Sequence, residues 1–263
     1  MTKNGFEGVE KFQNFKDKVA IESYRKEAIE SFKPMGNFIT SFIEKEKVNI
    51  IEVGSGNSSL LYFLSMNNYI ENAVGIELAK SRYLFAEKWK TDHKFSNVIN
   101  LNDDFRNVPL KNEFYDFFVC NSTLQYLNKE IAIELINYAY DSLKKDGILI
   151  MDVQNSQKLI NKIKNGIYKF KEILPSSNAF ASAIRTLKKN SNCDNNTYIN
   201  TSEYFDEQDH LKTSSNYIVY PWGEEDISNL IYKGRFLKLD IYGSLNKNKF
   251  DMSCDSYFVV AKK

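Results

Sequence analysis

The segment that most constrains the fold is Ile50-Ile-Glu-Val-Gly-Ser-Gly-Asn-Ser58. Its pattern predicts a buried strand that ends in a turn with two glycines, directly before a helix. Glycine suits such a turn because the backbone must bend sharply and a ligand must approach it closely. The N–H groups at the start of the helix suit an anionic group. The segment therefore predicts a ligand-binding α/β protein.

An acidic residue follows this turn at the spacing that a nucleoside ligand requires. Glu77 ends the next predicted strand, 23 positions after Gly54, and a carboxylate there can accept both hydroxyls of a ribose. The dinucleotide fingerprint would have a third glycine at position 59, where this chain has Ser59. The pattern therefore favours a nucleoside cofactor over one that contains a pyrophosphate.

Short strands alternate with helices, which predicts a parallel sheet with helices on both faces. The predicted strands are residues 48–53, 73–77, 98–101, 114–120, 148–153, 236–242 and 256–261. The last two strands are joined without helical spacing, so we predict an antiparallel pair. The helix before the fifth strand is expected to end at the basic residues and glycine of 144–147. Ahead of the first strand, Pro34 is expected to separate two short helices.

Residues 155–218 interrupt this alternation with a long polar segment. We predict helical pieces near 157–172 and 178–189 and an exposed loop at 188–197. Segments this long within a compact domain are usually functional or disordered. The predicted organisation is a helical cap at residues 1–47, a core at 48–154 and 219–263, and a lid that recognises the substrate at 155–218.

Composition narrows the classes of partner. Lys and Arg total 35 against 34 Asp and Glu, and a net charge of +1 provides no field to attract nucleic acid. No apolar run approaches the roughly 20 residues of a membrane helix, and no secretory signal is visible. The three cysteines include no CxxC pair, so we expect no zinc site and a cytoplasmic location.

Several segments together resemble the class I S-adenosylmethionine-dependent methyltransferases. The resemblance is carried by Glu52-Val-Gly-Ser-Gly-Asn57, Val74-Gly-Ile-Glu77, Asn102-Asp-Asp-Phe105 and the segments 115–127, 143–152 and 222–236. It implies a Rossmann-like α/β fold with a seven-stranded, mostly parallel sheet in the order 3-2-1-4-5-7-6. The seventh strand would be antiparallel, and helices would cover both faces.

The resemblance also implies the cofactor, S-adenosyl-L-methionine, and the residues that contact it. The implied contacts are Glu52, Gly54, Ser55, Gly56, Asn57, Glu77, Leu78, Asp103, Asp104, Phe105, Asn121 and Ser122. Glu77 would hold the ribose, and Glu52 would support the turn more than touch the cofactor. Asp104 aligns with the acid that contacts the adenine amino group, with Asp103 as the alternative.

The class of methyl acceptor is inferred from family motifs that the chain lacks and from its polar insertion. The Pro-Pro motif of amino-methylating DNA enzymes is absent after the fourth strand, and Asn121 stands where the metal-assisted enzymes of the family have aspartate. We therefore expect no metal and a small polar or sugar-like acceptor, methylated at oxygen by in-line displacement. The candidate catalytic residues are His210 and Asp152, and the candidate acceptor contacts are Gln125, Tyr126, Tyr204 and Asp206.

Two other functions stay open from the sequence. An aminopropyltransferase would share the fold and use a decarboxylated cofactor, and a catalytically silent partner protein would keep the nucleoside pocket. The expected assembly is a monomer or a homodimer, with no nucleic acid and no membrane as partner.

Overall fold

The computed structural model describes residues 14–109, 111–163, 166–175, 178–191, 197–251 and 253–263. Their helices are α1 (Lys18–Thr40), α2 (Ser59–Met66), α3 (Lys80–His93), α4 (Lys129–Ser142), α5 (Ser156–Ile160) and α6 (Glu224–Lys233). Their strands are β1 (Val48–Val53), β2 (Ile70–Ile76), β3 (Val98–Leu101), β4 (Tyr115–Asn121), β5 (Leu143–Gln154), β6 (Ile167–Ile173), β7 (Ser182–Lys189), β8 (Tyr198–Phe205), β9 (Leu211–Val219), β10 (Lys238–Tyr242) and β11 (Ser256–Lys262). None of these helices combines the length and the apolar character needed to cross a bilayer.

Seven strands form the main sheet in the order β10-β11-β5-β4-β1-β2-β3. Strands β1 to β5 pair in parallel, whereas β11 is antiparallel to both β5 and β10. Because β10 and β11 are the sixth and seventh strands of this sheet along the chain, the predicted order and the antiparallel last strand are confirmed. The strand order reverses between β1 and β4, which is where open α/β sheets bind ligands.

Helices cover both faces of this sheet. Helices α1, α2 and α3 pack on one face around Ile39, Leu61 and Trp89. Helices α4 and α6 pack on the other face around Leu135 and Ile231. Every residue of β1 except Asn49 is buried, which explains why this central strand has an apolar run instead of an alternating pattern.

The prediction of two short helices around Pro34 is wrong. Helix α1 continues from Lys18 to Thr40 with Pro34 inside it. Pro34 is exposed, so the carbonyl that loses its helical partner can be hydrated. The residues that follow, including Phe38 and Ile39, are buried against the sheet. Tertiary packing therefore outweighs the local cost of proline.

The predicted end of the helix before the fifth strand is also wrong. Helix α4 ends at Ser142, and Leu143 already pairs with Tyr115 of β4. Lys144 lies in the strand and forms an ion pair of 3.0 Å with Asp116. Pairing with β4 therefore begins earlier than the glycine signal indicates.

The polar insertion is a second sheet, not the predicted helices and loop. Strands β6, β7, β8 and β9 form a four-stranded antiparallel meander, and only the short α5 is helical near residues 157–172. Lys188 and Lys189 belong to β7, while half of the predicted exposed loop, residues 192–196, lies outside the described residues. The boundaries of the predicted cap, core and lid stay predictions.

Alternation of side chains explains this second sheet. Tyr198, Asn200, Ser202 and Tyr204 share one face of β8 because they are two residues apart. On that face Tyr198 packs with Leu187 and Val219 in a small apolar cluster. Period-two patterns rich in Thr, Ser and Asn are weak in hydrophobic contrast, so the pattern did not stand out in the sequence.

Candidate active site

A cavity of about 540 Å³ opens at the carboxyl ends of β1, β2, β3 and β4. The predicted residues that line it are Glu52, Gly54, Ser55, Gly56, Asn57, Glu77, Leu78, Asp103, Asp104, Phe105, Asn121, Ser122 and Tyr126. Its volume is within the usual range of small-molecule sites. The fold therefore brings these separate sequence motifs to one place.

The turn after β1 requires both of its glycines. Gly54 has φ of 76° and Gly56 has φ of 56°, a left-handed conformation that glycine adopts without strain. A Cβ on Gly54 would collide with the Thr123 side chain, whereas a Cβ on Gly56 would meet no atom within 4 Å. Gly56 therefore leaves its backbone open to the cavity.

The turn is supported by a buried polar network that the sequence did not predict. Ser58 precedes α2 with φ of 62° and is fully buried. Its hydroxyl donates to Asn100 Oδ1 at 2.7 Å, and the Asn100 amide donates to Tyr62 and Glu87. These bonds offset the cost of a left-handed serine.

Glu77 lies at the end of β2 and faces the turn. Its Oε2 accepts the N–H of Gly56 at 2.8 Å, and its Oε1 accepts the N–H of Ala79 at 2.7 Å. The side chain is only 7% exposed. These bonds hold the carboxylate at the cavity wall, where it can accept hydrogen bonds from hydroxyl groups of a ligand.

Glu52 places a second carboxyl group beneath the turn. It is 2% exposed, and its Oε2 is buried without a hydrogen-bond partner. Burial and, to a lesser extent, the charge of Glu77 raise the pKa of Glu52 well above its ordinary value. A buried acceptor without a partner at a cavity wall fits a cationic ligand group.

The two aspartates after β3 have different partners. Asp103 Oδ1 accepts the Asp104 N–H at 2.7 Å and the Asn107 amide at 3.0 Å, so it folds back onto its own loop. Asp104 instead forms a two-pronged ion pair with Arg106. The hydrogen bond from Arg106 lowers the pKa of Asp104, against the opposing effect of partial burial.

Asp152 lies behind the cavity and is not among its lining residues. Its Oδ2 accepts the Ser122 hydroxyl at 2.7 Å, and its carbonyl accepts the Ser122 N–H. Burial raises the pKa of Asp152, while hydrogen bonds from Ser122 and Ser256 oppose this shift. The geometry makes Asp152 a support for the end of β4, and its catalytic role stays a prediction.

Helix α1, part of the predicted N-terminal cap, forms a wall of the cavity through residues that the sequence analysis did not single out. Its lining residues are Tyr24, Glu27, Ala28, Ser31 and Phe32. The helix is anchored by Arg25, which is 2% exposed, ion-paired with Glu22 and Asp92, and packed over Phe85 and Trp89. Only the amphipathic pattern of α1 signalled burial, and it does not distinguish a core contact from a cavity wall.

The insertion contributes Pro175 and Asn178 to the cavity. Both lie in the connection between β6 and β7. Tyr126, which follows β4, packs its ring against Tyr217 of β9 at 4.9 Å. The second sheet therefore reaches the cavity through one connection and one aromatic contact.

Besides Asp152, four predicted acceptor or catalytic residues lie away from the cavity lining. The His210 side chain is 74% exposed and its Nδ1 lies 3.4 Å from Asp206 Oδ2, beyond the end of β8. Tyr204 packs against Phe180 in the connection between β6 and β7, and the buried Gln125 side chain donates to the Ser122 carbonyl. Because these partners are local, the structure does not bring the four residues to the cavity, and their roles stay predictions.

Comparison with known proteins identifies the class. A family model described as a methyltransferase domain matches residues 44–220. No curated protein matches the chain in sequence. Among solved structures, an S-adenosylmethionine-dependent methyltransferase from Clostridium acetobutylicum is similar with a TM-score of 0.72 and 15% identity, over 88% of this chain and 91% of that chain.

Two further solved structures share the fold. The CcbJ methyltransferase of Streptomyces caelestis has a TM-score of 0.72 and 14% identity over 87% of each chain. CalS10 of Micromonospora echinaspora, an amino pentose methyltransferase solved with S-adenosylmethionine bound, has a TM-score of 0.63 and 13% identity, over 94% of this chain and 98% of that chain.

The sheet order, the glycine turn and the acid after β2 define a class I methyltransferase fold. The chain belongs to the methyltransferase-domain family. The prediction of an S-adenosylmethionine-dependent methyltransferase is thereby confirmed at the level of family, enzyme class and cofactor.

Gly56→Ala is expected to weaken binding of S-adenosylhomocysteine, the demethylated cofactor, by about tenfold or more, because its Cβ would enter the open space of the cavity. Gly166→Ala is the matched control, since Gly166 also has a positive φ (79°) and open space around it but lies outside the cavity lining. Both changes should cost about 1 kcal/mol of folding stability in urea. Equal affinities of the two variants for the ligand would contradict this geometry.

Proposed function

We propose that this enzyme transfers a methyl group from S-adenosylmethionine to a small polar or sugar-like acceptor. The observation that carries the proposal is a single cavity lined both by the glycine turn with Glu77 and by polar and aromatic side chains of α1 and the insertion. One cavity with both kinds of wall can hold two reactants side by side, which supplies much of the catalysis of a displacement.

The residues present fit the cofactor. The carboxylate of Glu77 would accept hydrogen bonds from the ribose hydroxyls. The unpartnered oxygen of Glu52 would accept a hydrogen bond from the ammonium group of the methionine part. The open backbone at Gly56 leaves room for the chain between them. Asp104, which Arg106 holds on both carboxylate oxygens at the cavity lining, would accept a hydrogen bond from the adenine amino group. When bound, the cofactor supplies an electrophilic methyl group on a sulfonium.

The remaining walls support the proposed acceptor. They offer three aromatic rings and three polar side chains: Tyr24, Phe32, Tyr126, Glu27, Ser31 and Asn178. Rings beside hydrogen-bonding groups suit a compact molecule with one apolar face and several hydroxyls. The amino pentose substrate named for CalS10 supports the same class of acceptor.

The charges of the cavity support an acceptor other than a polyanion. The charged side chains among its lining residues are Glu27, Glu52, Glu77, Asp103 and Asp104 against Arg82 and Arg106. A phosphate backbone near this excess of carboxylates would be repelled. This supports the expectation that nucleic acid is not a substrate.

We propose a hydroxyl oxygen as the methylated atom. The phenol, hydroxyl and amide groups of Tyr126, Ser31 and Asn178 can orient a hydroxyl by hydrogen bonds. In this proposal, the chain acts by positioning the acceptor and excluding water, and no base is assigned. The expected cytoplasmic location and monomeric or homodimeric state stay predictions.

The test is methyl transfer from labelled S-adenosylmethionine to paired acceptors. Each pair shares one carbon skeleton and carries either a hydroxyl or an amine, with sugars, nucleotide-linked sugars and polyols represented. Labelled product from a hydroxylated member, absent with Glu77→Ala protein, supports the proposal. Transfer only to the amine members would contradict oxygen as the acceptor.

The same assay separates the two other functions that the sequence left open. Decarboxylated S-adenosylmethionine with a diamine in place of the acceptor would be consumed only by an aminopropyltransferase. Tight cofactor binding with no product from any pair, at substrate concentrations far above the protein, would favour the silent partner.

Removal of metal is expected to leave the rate unchanged. The described residues contain no group of three His, Cys, Asp or Glu side chains placed to hold an ion, and Asn121 is a poor substitute for an anionic ligand. The measurement is the rate of product formation before and after dialysis against a strong chelator. A loss of rate that Mg²⁺ restores would show that a metal assists the reaction.

A further inference from the structure

Arg106 and Asp104 form an unusually complete contact at the end of the cavity that follows β3. Arg106 Nε donates to Asp104 Oδ1 at 2.9 Å, and Arg106 Nη2 donates to Asp104 Oδ2 at 2.7 Å. The backbone N–H of Arg106 also donates to Oδ1 at 3.1 Å. The carboxylate is therefore held on both oxygens by a residue only two positions away.

This contact leaves the carboxylate with one direction open. A carboxylate offers about four lone-pair positions; Arg106 occupies two on Oδ1 and one on Oδ2. Both side chains line the cavity, and Asp104 is 22% exposed. The remaining position on Oδ2 can accept a hydrogen bond from a ligand and has no proton to donate.

We propose that Arg106 is a positioning residue that holds Asp104 as an ionised acceptor, so that the site binds a purine with a 6-amino group and rejects a 6-oxo purine. The inference rests on the proposed cofactor site. An amino group donates to Oδ2, whereas an oxo group would place its lone pairs against a fixed anion. The guanidinium fork prevents the carboxylate from turning away or taking up a proton.

The discrimination between the two purines depends on Arg106 and not only on Asp104. If Arg106 became glutamine, the carboxylate could rotate and be protonated more easily, and its O–H could then donate to a 6-oxo group. Discrimination between the two purines would fall even though Asp104 remained. Lysine at this position would keep the charge without the fork, and it should preserve part of the discrimination.

The experiment measures calorimetric affinities for S-adenosylhomocysteine and for its 6-oxo analogue, S-inosylhomocysteine. We expect the unchanged protein to prefer the adenine ligand by about 100-fold and Arg106→Gln to reduce this preference about tenfold. Arg106→Lys should fall between them, and Asp104→Asn should bind both ligands with similar affinity. Arg235→Gln is the control, because it breaks a surface ion pair with Asp141 outside the cavity.

The ratio of the two affinities separates positioning from structural support. Equal weakening of both ligands by Arg106→Gln, with the preference unchanged, would overturn the proposal. Arg106→Lys provides the same ratio if the glutamine variant does not fold. Failure of the unchanged protein to bind either ligand would instead contradict the proposed cofactor site.

Discussion

Replacing Glu77 with alanine is expected to weaken binding of S-adenosylhomocysteine by about 2–3 kcal/mol, or roughly 30- to 150-fold. Two charge-assisted hydrogen bonds to the ribose would be lost. The Gly56 and Ala79 N–H groups, which donate to the two carboxylate oxygens at 2.8 and 2.7 Å, would also lose their acceptor. The turn would then be less ordered when the ligand arrives. The measurement is the calorimetric dissociation constant.

Two further variants make this result specific. Glu77→Gln keeps one acceptor oxygen and should lose less affinity than alanine. Glu71→Ala removes an exposed acid from the same strand, β2, and should leave the dissociation constant unchanged. If Glu77→Ala binds as well as the unchanged protein, Glu77 does not hold the ribose.

Replacing residues 161–217 with a short Gly/Ser linker is expected to abolish methyl transfer while changing the affinity for S-adenosylhomocysteine by less than about threefold. The turn, Glu77 and Asp104 belong to the main sheet and keep their own partners. The linker removes Asn178 and Pro175 from the cavity and uncovers Tyr126, so the acceptor would be unpositioned in a wet site. Rate and affinity are measured on the same preparation, with the best acceptor from the paired panel.

A pair of point changes provides the control for this replacement. Asn178→Ala alters the connection that lines the cavity and should lower the rate. Asn216 lies on β9, next to Tyr217 and on the opposite face of the strand. Asn216→Ala should therefore leave the rate unchanged. If the shortened protein methylates at the normal rate, the acceptor site is built without the insertion, and helix α1 becomes its only added wall among the described residues.

The main sheet was predictable because its signals are local. Strands β1, β3 and β11 contain short apolar runs bounded by glycine or polar residues, and the connections β1–β2, β2–β3 and β4–β5 each accommodate one helix. Parallel pairing follows from this alternation of strands and helices, whereas the order of the strands was implied by the resemblance to the class I methyltransferases. The proposed cofactor end of the cavity was predictable for the same reason, since the turn and Glu77 are defined by position along the chain.

The rest depends on contacts between distant residues. Pro34 could remain inside α1 only because Phe38 and Ile39 are buried against the sheet, which no local pattern reveals. The second sheet is stabilised by pairing along β7 and β8 and by a small cluster with Tyr126, not by strong hydrophobic alternation.

Of the side chains at the proposed acceptor end of the cavity, only Tyr126 was predicted, because the walls come from elements far apart in sequence. His210 was chosen for its chemistry, yet the chain places it beyond the end of β8 beside Asp206. Asn178 and Tyr24 had no chemical signal of their own and lie at the cavity because of the fold. The proposal of Asp104 over Asp103 likewise rests on the hydrogen bonds that each one makes, which no local pattern shows.

The cavity at the carboxyl ends of β1 to β4 is the proposed site for S-adenosylmethionine. The most direct measurement is calorimetric titration of the purified protein with S-adenosylmethionine, S-adenosylhomocysteine and a nicotinamide dinucleotide. The structure predicts binding of the first two at one site per chain, with micromolar-range affinity and with loss of affinity in Glu77→Ala. Binding of the dinucleotide with no heat from either methionine-derived ligand would contradict the account.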